Sequence, residues 1–325
     1  MHRLHGLDAL RGMAALVVLF MHVFGFAAGH LTVDFFFMLS GYVMTRTYEE
    51  RLAGGGLSPL RFLAARYRRL WAPMAGGVTL GFIVYLARGG PLVDGTIAYG
   101  LGLMMVPAGA TTPFLLNLAA WSIFYELLAN AGHAAVFARM GNRALFGLLG
   151  ICASMLVAAT ALVEFPRILA VTSLEIQLLV IPRALTSYLI GILAFRLLRD
   201  RPVLPIPLWA GLIALPAYAA LVAFAPFPLW QLPFIFAIAP VMLASGLAPA
   251  GASARLWEWL GNLSFPLYAL HVPTIQFSAM AGLNAQATIC LCLLVAIGWM
   301  LAERRLAGHR PRTSDALTIR YSTAR

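Results

Sequence analysis

The chain is organised as long apolar runs separated by short pieces rich in arginine, glycine or proline. The runs cover residues 10–28, 32–47, 73–88, 96–107, 114–137, 144–164, 178–198, 206–225, 229–248, 263–282 and 285–303. Most are close to the ~20 residues that cross a bilayer as a helix. The main interruption runs from Gly54 to Pro73. It opens with Gly54-Gly55-Gly56 and then carries Arg61, Arg66, Arg68 and Arg69. The pattern predicts an all-α integral membrane protein, with no internal repeat and no low-complexity segment.

Arginine placement orients the spans. The interruption and the tail beyond Ala302, with Arg304, Arg305, Arg310, Arg312, Arg320 and Arg325, both read as cytoplasmic by the positive-inside rule. With both termini inside, the number of crossings is even, so one of the eleven runs does not cross. The stretch 96–107, short, glycine-rich and ended by Pro107, is the one expected to be re-entrant or interfacial and covered by protein. Ten crossings then place the loops with Arg139 and Arg143, Arg199 and Arg201, and Arg255 inside. Arg88, Arg167 and Arg183 are left outside or near the outer boundary. The expected organisation is a transmembrane domain over 1–305 and a basic cytoplasmic tail over 306–325, in a bacterial inner (plasma) membrane.

Composition removes the competing classes. Hydrophobic residues make up 61% of the 325 and charged residues 11%, with a mean hydropathy of +0.85. Soluble domains run near ~45–50% and ~25%. The net charge of +11 comes from arginine alone, and topology explains it better than nucleic acid does. Cys152, Cys290 and Cys292 lie in apolar runs without metal or redox spacing. They read as free thiols, and no metal site is expected. The first run has some features of a cleavable leader, but Arg11 and His22 inside it favour a retained first crossing.

Ionisable residues at membrane depth point to function. Arg11 and His22 share the first run. Eleven positions at about 100° each bring them within roughly 20° of one another on the helix face, about 16 Å apart along its axis. Histidine is the usual general base near neutral pH. Asp34, where the chain re-enters the membrane, is placed to orient His22, or else to favour a helix N-terminus. Ser40-Gly41 reads as a close approach between helices. Arg66 and Arg69 lie one turn apart beside Arg68, as a phosphate clamp or as contacts to anionic headgroups. Glu126, Asn130 and His133 form one possible stripe; Ser264, Tyr268 and His271 form another, in which Pro273 frees the carbonyl of Ala269. His133 and Tyr268 read as packing residues, whereas Glu126 and His271 read as functional.

The ordered set LDALRGMAALVVLFMH, TVDFFFMLSGYV, RYRRLW, WSIFYE and LGNLSFPLYALHVP resembles the membrane-bound acyltransferase-3 family. The resemblance implies an O-acyltransferase that moves an acyl group, acetyl being expected, from a coenzyme A thioester to a hydroxyl of a carbohydrate. Cell-surface polysaccharide or a lipid-linked precursor is the expected acceptor. It also makes Arg11 and His22 the pair required for activity, and Arg66 and Arg69 the motif linked to acyl-CoA use. Asp34, Glu126 and His271 become further catalytic candidates. Thr32 and Tyr125 depart from the family pattern, where glycine and an aliphatic residue are usual. A transporter or flippase for a lipid-linked glycan, and an acyltransferase for a lipid or small-molecule acceptor, are the alternatives.

Overall fold

The computed structural model describes residues 3–26, 30–109, 112–162, 174–199, 206–224, 229–249 and 253–309. These contain eleven helices and no strand: α1 His5–Phe24, α2 His30–Ala53, α3 Pro59–Ala87, α4 Leu92–Leu103, α5 Ala120–Ala135, α6 Asn142–Leu162, α7 Leu174–Leu198, α8 Leu208–Phe224, α9 Gln231–Ser245, α10 Ala254–Met280 and α11 Ala285–His309. Within α9 the stretch Phe234–Ile238 is π-helical. Each apolar run of the sequence coincides with one helix. Among the described residues, α1, α3, α6, α7 and α11 are long and apolar enough to cross a membrane. The chain is an all-α membrane protein. Arg167, Arg201 and the tail from 310 onward lie outside the described residues, and α11 runs through the expected boundary at 305.

Burial sorts the helices into an inner and an outer set. The most apolar 18-residue stretch of α11 is only 22% buried, against 56% for α1 and 61% for α7. The polar long helices sit inside: α2 buries Thr32, Asp34, Ser40 and Thr45, and α10 buries Ser264, Tyr268, His271 and Thr274. The hydrophobic effect does not separate helices from lipid tails, so the apolar helices are free to face them. The polar faces have nowhere to go but the bundle interior. α10 packs on α1, α3 and α11, and α2 packs on α7.

One expectation about local structure is revised. The interruption at 54–73 shrinks to a turn: Gly55 takes φ +75°, Ser58 caps the next helix by accepting from the Arg61 N–H at 3.3 Å, and α3 starts at Pro59. Pro73 lies inside that helix, so the arginines sit on its opening turns. The stretch expected not to cross corresponds to α4 and the turn at its end. Twelve residues give about 18 Å of helix, well short of the ~30 Å hydrocarbon core. α4 lies along α3, and its Leu103 carbonyl accepts from the Tyr67 hydroxyl at 3.2 Å and from Trp71 Nε1 at 2.9 Å. The chain turns there through Met105 at φ +55°, and residues 106–109 and 112–117 form neither helix nor strand. Asn117 Nδ2 donates to the Ala269 carbonyl at 2.8 Å, the carbonyl that Pro273 leaves free. Met105, Pro113, Phe114, Leu116 and Asn117 of this irregular stretch are buried against the bundle, the setting in which lipid tolerates irregular backbone.

Gly41 is a close-approach point, as its sequence context suggests. A Cβ at Gly41 would collide with the Tyr188 carbonyl, and one at Gly191 with the Met38 carbonyl. Gly41→Ala is expected to force α2 from α7 and to cost about 1–3 kcal/mol. Thermal unfolding of the detergent-solubilised protein measures this, and an unchanged midpoint would refute the close packing.

Candidate active site

Six helices, α1, α2, α3, α5, α10 and α11, converge on a cavity of about 270 Å³. α3 supplies Arg66 and Arg69, α5 supplies Ser122 and Glu126, α1 supplies Arg11, and α2 supplies Phe36, Phe37 and Ser40. Glu126 Oε1 accepts from Arg66 Nη2 at 2.7 Å and from Ser40 Oγ at 2.9 Å. Arg11 Nη2 donates to the Gly261 carbonyl at 2.6 Å and lies 3.2 Å from Asp8 Oδ1. Arg66 is buried, whereas Arg69 is exposed at the cavity edge. Three guanidiniums against Glu126 and Glu303 leave the walls net positive, which favours an anionic ligand. Arg68 takes no part in the walls; its Nε donates to the Ala64 carbonyl, one turn back.

A second constellation lies further along α1. The rings of His22 and His271 meet edge to face with centroids 4.9 Å apart. His22 Nδ1 is 2.9 Å from the Val18 carbonyl and His271 Nδ1 is 2.7 Å from the Tyr268 carbonyl. A carbonyl only accepts, so in both neutral rings Nδ1 carries the proton and Nε2 holds the lone pair. His271 is buried and its Nε2 has no partner. His22 is exposed. Neither histidine lines the arginine cavity. Tyr268 stands between: it forms part of the cavity wall, its ring lies 5.7 Å from that of His271 and 5.7 Å from that of Phe36, and its hydroxyl is 2.6 Å from Ser122 Oγ.

Asp34 does not orient His22. Its two oxygens accept from Arg183 Nε at 2.8 Å and Nη2 at 2.9 Å, with Gln231 Nε2 at 3.4 Å. Both partners of this fork are inaccessible, with side chains 0% and 1% exposed, and Arg183 also lies over the Trp121 ring at 5.9 Å. Arg183 is the residue that sequence reasoning missed. A lone arginine after Pro182 inside an apolar run is the signal that points to a buried partner, whereas charge bias alone puts it near the outer boundary. The stripe on α5 divides as well. Glu126 faces the cavity, while Asn130 accepts from the Tyr188 hydroxyl at 3.1 Å and His133 packs on the Tyr188 ring at 5.9 Å. Tyr268, expected to be a packing residue, is part of the cavity wall.

The geometry is that of an all-α membrane bundle with a basic cavity and an imidazole pair further along α1. Residues 4–303 match the family model described as "Acyltransferase domain", so the chain belongs to the acyltransferase-3 family. It is also similar to "Protein 2 in picA locus" of Rhizobium radiobacter, 36% identical over 188 residues that cover 49% of this chain and 94% of that protein. No solved structure matches it.

Proposed function

We propose that the protein is an O-acyltransferase that takes a short acyl group, acetyl being the leading candidate, from acyl-CoA and delivers it to a hydroxyl of a carbohydrate. A cell-surface polysaccharide or a lipid-linked precursor in the inner membrane fits that role. The observation that carries this reading is the three-arginine cavity, separated by Tyr268 from an exposed histidine with a free Nε2. A volume of about 270 Å³ lies just below the ~300–1,000 Å³ of ligand pockets. It suits a pantetheine arm and a short acyl group, with the nucleotide outside. Arg69, exposed at the edge, is placed to meet the phosphates. Arg11 and Arg66 are held by Asp8 and Glu126 and meet charge that enters further. Both chain ends then lie on the cytoplasmic side with the donor. The acceptor reaches His22 from the other end of α1, where Nε2 takes its hydroxyl proton as the oxygen attacks.

The donor half is tested with labelled acetyl-CoA and membranes containing the protein. Arg69→Ala is expected to raise the KM for acetyl-CoA about tenfold with little change in kcat, the pattern of lost uniform binding. The gap is expected to narrow as salt screens the exposed guanidinium. An unchanged KM at low salt would refute phosphate binding at Arg69.

A further inference from the structure

The Ser122–Tyr268 hydroxyl pair is unexplained by packing alone. Both residues are buried, both line the cavity, and the Tyr268 ring borders His271. Their oxygens are 2.6 Å apart, and each also reaches the Ala119 carbonyl, Ser122 Oγ at 3.2 Å and Tyr268 at 3.4 Å. Two hydroxyls carry two protons. One bridges the short contact. The other goes to Ala119 over a distance well beyond the ~2.7–2.8 Å of a good O–H···O bond. The pair therefore holds one strong internal bond and one proton weakly engaged. A carbonyl oxygen entering the cavity gains that proton at small cost to the protein.

We infer that the hydroxyls of Ser122 and Tyr268 bind the thioester carbonyl oxygen of the acyl donor and stabilise the negative charge that develops on it. This rests on the acyl-CoA reading above and deepens it. The acceptor oxygen bonds to the acyl carbon while its proton passes to His22 Nε2. The carbonyl oxygen becomes an oxyanion held by the hydroxyl pair. The carbon–sulfur bond then breaks with its electrons on sulfur, the carbonyl re-forms, and the thiolate takes the proton back from His22. Nothing else is consumed, and the products are an ester and free coenzyme A. Tyr268 suits this place because its ring borders His271, which in turn borders His22. On this proposal the acyl carbon lies between the hydroxyl pair and His22, along the line of rings Tyr268, His271 and His22.

The test compares two unreactive donors on the purified protein by calorimetry: S-acetonyl-CoA, which carries a carbonyl, and S-propyl-CoA, which lacks one. Wild type is expected to bind the ketone about tenfold more tightly, the scale of one net hydrogen bond. Tyr268→Phe and Ser122→Ala are expected to lose that preference while binding S-propyl-CoA within twofold of wild type. In labelled transfer each variant is expected to lose about 10²-fold in kcat, as when an oxyanion donor is removed, with KM little changed. If both variants keep the ketone preference, or weaken both analogues equally, the pair only ties α5 to α10 and the inference is wrong. If wild type binds neither analogue, the acyl-CoA reading itself falls.

Discussion

Replacing His22 by alanine is expected to lower acyl transfer by about 10²–10⁴-fold, the range a positioned general base supplies. The KM for acyl-CoA is expected to stay near wild type. Location separates the two effects: His22 lies about 16 Å along α1 from Arg11 and does not line the arginine cavity. His22 is a better base for the acceptor than its neighbour. It is exposed, while His271 is 1% exposed, so a bulky hydroxyl can reach only the first. The Val18 carbonyl fixes its tautomer and leaves Nε2 free to accept the proton. His271, buried against it, limits how the His22 ring can turn. The measurement is label transfer from acetyl-CoA in membranes with matched amounts of inserted wild type and variant. Equal transfer from both would make His22 structural and move the search for the base to Glu126 or His271.

The sequence exposes the elements better than their ends, for a physical reason. Hydropathy reports where a helix meets lipid, but helical hydrogen bonding continues wherever the backbone allows. α2 runs on from 47 to Ala53 through Glu49, Glu50 and Arg51, with Glu49 held by Arg196 at 2.9 Å. α10 begins at Ala254 rather than 263, on a turn where Glu258 meets Arg3 at 2.9 Å. The same limit applies to the site. Spacing along one helix places Arg11 and His22 on a shared face, and glycine beside Ser40 marks a contact. Pairings between helices leave no such trace. Glu126 with Arg66, and Asp34 with Arg183, join residues far apart in sequence through the packing of α2, α3, α5 and α7. Each acid in the sequence therefore offers several partners, and only the bundle selects one. Asp34 shows the consequence: near His22 in sequence, it is turned toward α7 in the fold.

That assignment makes a second large effect predictable. Asp34→Ala and Arg183→Ala are each expected to destabilise the protein by about 3–5 kcal/mol, because each leaves a buried charge without its partner. Hydrocarbon around the bundle offers the orphan no water, and snorkelling is closed to a side chain at 1% exposure. Asp34→Leu combined with Arg183→Met removes both charges and fills similar volume, so most of the loss is expected to return. A residual cost of about 1–3 kcal/mol is expected from Gln231, which loses its 3.4 Å bond to Asp34. Thermal midpoints of the four proteins in detergent give the cycle, and additive effects would refute the pairing. Activity decides what the pair is for. As a brace between α2 and α7 it touches neither histidine, so the double variant is expected to transfer label within about tenfold of wild type, the cost of a small shift in geometry. A double variant that folds fully and transfers nothing would show that the Asp34 carboxylate acts in the chemistry despite Arg183.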